Sequence, residues 1–403
     1  MRLAFLSYEY PAETGFGGIG TYTWTQARAL ARLGHEVHVV AGSRAGAGPR
    51  RAQELGVTVW RAGVGGGAAA VGRALGALGL FWSRNRWENA RALGEAFDRL
   101  AKERRFDVVE APECGAEGWF VAGVEKRRRI VRFHSPARLI MPFYPTRRLD
   151  RALCAAFERR AWRRAGVRTG CSRFLAEAAR DRLRVREPIE VIPNGVDLEV
   201  PATDEIAELR RALDLAGRRL VVFAGRIERR KGAHLLPEIG AHLLARPDVV
   251  LAIAGEDLFG ILAREVAPRL AAAARPGALR ILGRRTVTEA RALVAAGDVV
   301  LLPSLWESCP YAALEAMACG APLVTSDAGG LPECVRPERE ALVAPAGDAA
   351  ATATAALRLL DEPALARRLA AAARARVESE FSADTIARRS LALYERVAEG
   401  RAS

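Results

Sequence analysis

Short β-branched runs alternate with helix-like stretches along the chain, and this alternation is interrupted once and then starts again. Leu3–Ser7, Glu36–Ala41, Val57–Arg61, Phe106–Glu110, Ile130–Phe133, Val167–Ser172 and Ile189–Ile192 read as strands, with a first helix over Thr21–Leu33 that stops at Gly34. Strands separated by helices must be joined by crossovers, so they lie parallel and their binding loops collect at the carboxyl ends. Pro193-Asn194-Gly195-Val196-Asp197 then marks a turn. After it, Leu220–Ala224, Val249–Ala254, Leu279–Leu282, Asp298–Leu302, Leu323–Thr325 and Ala341–Val343 repeat the pattern. The expected fold is α/β, with parallel-sheet domains over residues 1–197 and 198–382 and a final amphipathic helix in residues 383–403 packing back on the first. At 403 residues the chain supplies two cores, and a crevice between two facing sheets is where a ligand is expected.

Other classes are excluded by composition. Half the residues are hydrophobic, and no long polar stretch argues for disorder. The opening MRLAFLSYEYPAE has one Arg and a short apolar run without a cleavage site, and reads as a strand. Apolar windows such as Gly65–Trp82 and Val249–Ala254 are too short, or too interrupted, to span a bilayer. A cytoplasmic protein, soluble or peripheral at the inner membrane face, is expected. Cys114, Cys154, Cys171, Cys309, Cys319 and Cys334 form no C-x-x-C pair and have no His nearby to complete a zinc site, so they read as reduced thiols, with a catalytic Cys309 as the alternative.

The chemistry is concentrated in two loops. In Pro303–Gly320 a strand ends, a loop carries Glu307, and a helix beginning near Tyr311 carries Glu315. Two carboxylates thus flank a helix amino end that can receive a phosphate, one able to bond sugar hydroxyls and the other a ribose diol. An isolated E-x7-E would read only as two solvated carboxylates. Gly225-Arg226-Ile227-Glu228-Arg229-Arg230-Lys231-Gly232 changes that reading, because it follows a strand and projects Arg226 and Lys231 from its carboxyl end. Such a pair suits a pyrophosphate and the charge on a departing diphosphate. Arg229 and Arg230 read as a solvated basic turn.

Together these residues resemble the retaining GT-B glycosyltransferases of the group 1, family 4 type, over essentially the whole chain. The resemblance rests on the G-R-x4-K-G loop, Ala254-Gly255-Glu256, Leu282-Gly283, the E-x7-E element, Gly320–Val324 and Gly329–Glu333. Its first-half part is Gly17-Gly18-Ile19-Gly20, His134 and Asn194–Asp197. It implies two Rossmann-like domains facing across a cleft and transfer of a sugar from a nucleotide-diphosphate donor by front-face retention. It further implies that Arg226 and Lys231 bind the pyrophosphate, Glu315 the ribose and Glu307 the sugar hydroxyls. Backbone near Tyr311, Ala312 and Leu314 helps hold sugar and phosphate, Gly17 and Gly18 approach the phosphate from the opposite domain, and His134 meets the sugar near the reacting carbon. Many relatives have Phe-Gly after the first Glu; here Cys309-Pro310-Tyr311 stands instead, and Pro310 removes one amide donor. There is no D-x-D clamp. No cofactor and no metal are expected beside the nucleotide-diphosphate-sugar co-substrate.

Gly15-Phe16-Gly17-Gly18-Ile19-Gly20 also satisfies G-x-G-x-x-G, the mark of a nicotinamide or flavin enzyme. The long loop after Ser7, and Gly42-Ser43-Arg44 where an acidic ribose ligand belongs, argue against that reading. A GT-B-fold epimerase, a phosphorylase and a non-catalytic module are further alternatives. Net charge is +14, with 34 basic against 21 acidic residues in 1–200 and 27 against 26 in 201–403. In Arg73–Arg105, Leu78, Phe81, Trp82 and Trp87 lie among arginines, and Phe157 and Trp162 do so in Arg147–Arg168. Two readings follow. In one, these helices lie on an anionic membrane and the acceptor is lipid-linked or anionic; in the other, the aromatics pack inward and the arginines are solvated. Nucleic acid is not an expected partner.

Overall fold

The computed structural model describes residues 1–15, 17–44, 48–63, 70–215 and 217–401. Phe16 of the glycine-rich run and residues 65–69 of the apolar window Gly65–Trp82 lie outside them. Two compact units are formed, Met1–Gly195 with Ala383–Ser403, and Val196–Ser382. The division falls inside the predicted turn.

In the first unit, β1 (Arg2–Ser7), β2 (Glu36–Gly42), β3 (Arg50–Glu54), β4 (Val57–Ala62), β5 (Val108–Pro112), β6 (Arg129–Phe133), β7 (Val167–Gly170) and β8 (Glu190–Val191) form one sheet in the order β3-β4-β2-β1-β5-β6-β7-β8. All pairings are parallel except β3 with β4. The sequence reading missed β3, because Arg50-Arg51-Ala52-Gln53-Glu54 lacks the apolar run of a buried strand. As an edge strand it needs only backbone pairing, and its charged residues protect that edge. Helices α1 (Gly18–Arg32), α2 (Ala70–Ala77), α3 (Phe81–Glu103) and α4 (Arg148–Arg163) belong to the same unit.

In the second unit, β9 (Arg219–Ala224), β10 (Val249–Ala254), β11 (Leu279–Gly283), β12 (Val299–Leu302), β13 (Leu323–Ser326) and β14 (Leu342–Ala344) form an all-parallel sheet in the order β11-β10-β9-β12-β13-β14. Helices cover both faces, so a central strand such as β10 is apolar and buried at every residue rather than alternating. The order reverses direction at β9, whose neighbours are β10 and β12. In open parallel sheets ligands bind at such a switch point, outside the carboxyl ends of the strands.

Helix α5 (Tyr311–Ala318) follows β12. Its end is set by Gly320 at φ 64, where Gly320 N donates to Met317 O at 3.0 Å and Ala321 N to Ala316 O at 3.0 Å. This closing motif favours glycine, which alone adopts positive φ without strain. Helix α6 (Ala383–Ala398) lies in the first unit, with Ile386, Leu393 and Tyr394 in the same core as Leu3, Phe5 and Leu30. Among the described residues no helix is long and apolar enough to cross a membrane.

Candidate active site

The loops after β9 and β12 are neighbours because those strands pair. The first loop turns at Arg229–Lys231 and leaves through Gly232 at φ 76. A Cβ at Gly232 would stand 1.9 Å from Pro303 O, so the basic loop sits directly on the end of β12 and only glycine fits. Leu305 N donates to Arg230 O at 2.7 Å and ties the two loops together.

Side chains complete the junction. Lys231 Nζ donates to Glu307 Oε1 at 2.5 Å, and Ser304 Oγ donates to the same oxygen at 2.9 Å. Arg230 Nη1 faces Glu307 Oε2 at 3.4 Å, while Arg230 Nη2 donates to Glu228 Oε1 at 2.6 Å. Arg226 lies 3.6 Å from Glu228 and is partly exposed. Arg230 is 5% exposed, which corrects its reading as a solvated residue; the open loop description does hold for exposed Arg229, paired to Glu265. Burying a guanidinium is tolerated only with carboxylates on its donors, and Glu228 and Glu307 provide them. Sequence spacing gave no sign of this, because the partner Glu307 lies 77 residues away.

These contacts set the ionisation. Burial alone would raise the Glu307 carboxyl, but Lys231 and Arg230, helped by hydrogen bonds from Lys231 and Ser304, hold it below the usual range. Burial lowers the Lys231 ammonium, with Glu307 opposing that effect. Burial raises the Glu315 carboxyl, moderated by Arg291 and Lys231 and reinforced by Asp197. Glu307 is thus an ionised acceptor, while Glu315, one helical turn into α5, is the more easily protonated of the two.

At the amino end of α5, Pro310 contributes no amide, and Ala313 N and Leu314 N both donate to Pro310 O, at 3.1 and 3.3 Å. Leu314 is fully buried, and its amide is used within the first turn of the helix. The first-turn amides of Tyr311 and Ala312 point out of the helix end, where the helix dipole favours an anion. Arg226, Lys231, Glu307, Tyr311, Ala312 and Glu315 are therefore all placed at the carboxyl-end loops of β9 and β12. Cys309 lies in the second loop as a buried thiol, its Sγ 3.8 Å from Cys334 Sγ.

The remaining predicted residues lie in the first unit. Gly17 caps α1 and Gly18 opens it. A Cβ at Gly17 would stand 1.9 Å from Glu9 Oε2, whereas one at Gly18 would meet nothing within 4 Å. His134 follows β6, is 5% exposed, and its ring lies 4.9 Å from the ring of Tyr22 on α1. Burial, reinforced by the charge of Arg132, pushes the imidazole well below its ordinary pKa, so it is neutral. Its backbone is fixed by Glu113, whose carboxylate accepts from His134 N at 2.8 Å and Ser135 N at 2.7 Å. Burial, with the charge of Glu158, raises Glu113 to about 8. Glu113 directly follows β5, and its role as the clamp of the His134 loop comes from tertiary contact. Among the described residues no group of three or more His, Cys, Asp or Glu is arranged to hold a metal ion.

Comparison with known proteins identifies the family. Residues 16–200 match the Glycosyltransferase Family 4 model and residues 218–362 the Glycosyl transferases group 1 model. A glycogen synthase of Mycobacterium tuberculosis is 28% identical over 98% of this chain and 94% of that protein. The 2-deoxystreptamine glucosyltransferase of Streptomyces kanamyceticus is 30% identical over 64% of this chain and 67% of that protein. In fold, sucrose-phosphate synthase from Thermosynechococcus elongatus superposes with a TM-score of 0.80 at 23% identity, covering 99% of this chain and 100% of that one. The catalytic domain of starch synthase IV from Arabidopsis thaliana gives 0.75 at 16% identity, covering 99% of each. With both halves matched in order, the nicotinamide or flavin reading of the glycine run falls away, and the chain belongs to the group 1, family 4 glycosyltransferases of GT-B architecture.

Proposed function

We propose that this enzyme transfers a sugar from a nucleoside-diphosphate sugar to an acceptor hydroxyl, with retention of anomeric configuration and without a metal ion. The observation that carries the reading is the cationic cluster at the end of β9, in which Arg230 and Lys231 are locked against ionised Glu307 and Arg226 stands beside Glu228, next to the amino end of α5. Arg226 and Lys231 are assigned to the donor pyrophosphate, Glu315 to the ribose and Glu307 to hydroxyls of the donor sugar. His134, held neutral, is assigned a hydrogen bond to the sugar that carries no fixed charge. Gly17 and Gly18 are assigned to close backbone approach to a phosphate.

The step is a substitution at the anomeric carbon. The bond from that carbon to the diphosphate oxygen breaks as the acceptor oxygen bonds to it on the same face, through an oxocarbenium-like state. The acceptor proton passes to the departing phosphate oxygen, so products are a glycoside and a nucleoside diphosphate. Fixed positive charge at the leaving group stabilises the transition state more than the ground state, because charge accumulates there as the bond breaks. Arg226, Lys231 and the helix end supply that charge in this reading, which is why no metal is invoked.

The test is a screen of nucleoside-diphosphate sugars against acceptor classes in the presence of EDTA, with product configuration read by NMR. The expected result is transfer or slow donor hydrolysis that survives the chelator and keeps the donor's anomeric configuration. Inverted product overturns the front-face step, and activity abolished by EDTA and restored by magnesium or manganese overturns metal independence.

A further inference from the structure

The arginine-rich aromatic helices of the first unit do not lie as whole amphipathic stripes. Trp87 packs against Trp119, Phe120 and Phe157 at ring distances of 5.1, 5.1 and 5.9 Å, and Trp162 packs on Phe133 at 5.6 Å. Arg86 is buried on Glu158. For these residues the inward-packing reading holds. A different subset stays outside. Leu78 and Phe81 are each 61% exposed, Leu149 is 57% exposed and Val71 is 41% exposed.

These residues share one corner. Arg147 Nη1 donates to Leu78 O at 2.7 Å, and the Asp150 carboxylate accepts from Trp82 N at 3.0 Å and Ser83 N at 2.8 Å, joining the starts of α3 and α4. Trp82 stacks on Tyr144 beneath the corner. Val71 and Leu78 are seven residues apart across α2 and its end, and so face the same side. Around them Arg73, Arg84, Arg138, Arg147 and Arg148 are exposed. Residues 70–87 and 137–149 contain no acidic side chain, and the acid that follows the second segment, Asp150, is 2% exposed and used as the helix cap. Arg84 does pair with Glu88, about two turns into α3.

We propose that this corner docks the protein on an anionic phospholipid bilayer. Phe81, Leu78 and Leu149 enter the boundary between headgroups and acyl chains, while the arginines meet lipid phosphates. The charge argues for that occupant: exposed apolar side chains ringed by cations, with no acid in either segment, match a surface that is apolar just beneath a negative layer. The proposal stands independently of the sugar-transfer reading.

The test is cosedimentation of the intact protein with vesicles of phosphatidylglycerol and phosphatidylcholine, and with phosphatidylcholine alone, at low and high salt. Wild type is expected to bind the anionic vesicles, to bind neutral ones much less, and to weaken with salt. The triple variant Leu78→Ser, Phe81→Ser, Leu149→Ser changes only exposed side chains and is expected to keep its melting temperature while binding drops roughly tenfold or more. Arg147→Ser with Arg148→Ser is expected to lose binding chiefly at low salt. Three results overturn the proposal. One is no binding to anionic vesicles at low salt. Another is unchanged binding by the triple variant, which assigns attraction to the diffuse charge of the first unit. The third is self-association that the triple variant abolishes, which assigns the corner to a second copy of the chain.

Discussion

Lys231 Nζ lies 2.5 Å from Glu307 Oε1, so the cation assigned to the donor pyrophosphate is bonded to the carboxylate assigned to the donor sugar. The two groups organise each other before either meets a ligand. An arriving diphosphate competes with Glu307 for Lys231, and Arg230, 3.4 Å from the other oxygen, remains to balance the carboxylate. Removing Lys231 therefore removes one charged contact to the donor without leaving Glu307 alone. Lys231→Ala and Arg226→Ala are each expected to fold and to lose roughly tenfold to a hundredfold in transfer, the equivalent of about 1.5–3 kcal/mol for a charged hydrogen bond. Near-wild-type turnover in both variants, measured as nucleoside diphosphate released, would rule out the clamp.

Arg230 is expected to act through Glu307 rather than on the substrate. Glu307 is a carboxylate whose pKa is lowered in the folded protein, so its charge is present above that pKa and is lost as pH falls through it. In Arg230→Met that pKa rises, and the acid limb of the turnover–pH profile should move to higher pH. Stability should fall by about 3–5 kcal/mol, because Glu228 and Glu307 lose a buried partner. Arg230→Lys should recover part of both effects. A variant that loses stability while its acid limb stays in place would show that Arg230 serves packing alone.

The two carboxylates are expected to separate in binding experiments. Glu315→Ala should weaken the free nucleoside diphosphate several-fold, since a charged acceptor for ribose hydroxyls is lost. Glu307→Gln should not weaken that affinity, since it frees Lys231 for the diphosphate, and should lower turnover instead, because its assigned contact is to the sugar. Calorimetric titration of the nucleoside diphosphate against both variants measures this. Equal losses of affinity would refute the division of roles.

The fold was legible in the sequence wherever burial is complete on both faces. β10 was read with its observed bounds, Val249–Ala254, because a strand covered on both sides must be apolar throughout. β3 was missed because an edge strand needs no such pattern. Local chemistry was also legible: the basic loop follows β9 and α5 starts at Tyr311, as read. What stayed hidden is contact between residues distant in sequence. Arg230 looked like one of several loop arginines until Glu307 was placed on it. Glu113 likewise shows its two hydrogen bonds to the amides of the His134 loop only in the folded chain, because His134 lies 21 residues away. The exposed corner at Phe81 was masked by neighbouring tryptophans of the same composition that turn inward.

Gly17 and Gly18 offer a separation of structure from function within one dipeptide. A Cβ at Gly17 would overlap Glu9 Oε2 at 1.9 Å, and Gly17 O accepts from Thr21 N at 2.9 Å, so the cap of α1 cannot shift freely to relieve the clash. Gly17→Ala is expected to displace the Glu9 carboxylate, and because the clash is with the end of a flexible side chain the loss of melting temperature should be small. Gly18 is different: it is the first residue of α1, has no positive φ, and faces open space where the new methyl would go. Gly18→Ala should therefore leave stability unchanged or raise it, by at most about 1 kcal/mol, since alanine restricts the unfolded chain. If the glycine is there to let a donor phosphate approach the backbone, the same variant should raise the donor KM or lower turnover at least about tenfold despite its intact fold. Thermal denaturation and donor kinetics on the two variants decide the matter: a Gly18→Ala enzyme that is both stable and fully active removes this loop from the donor site.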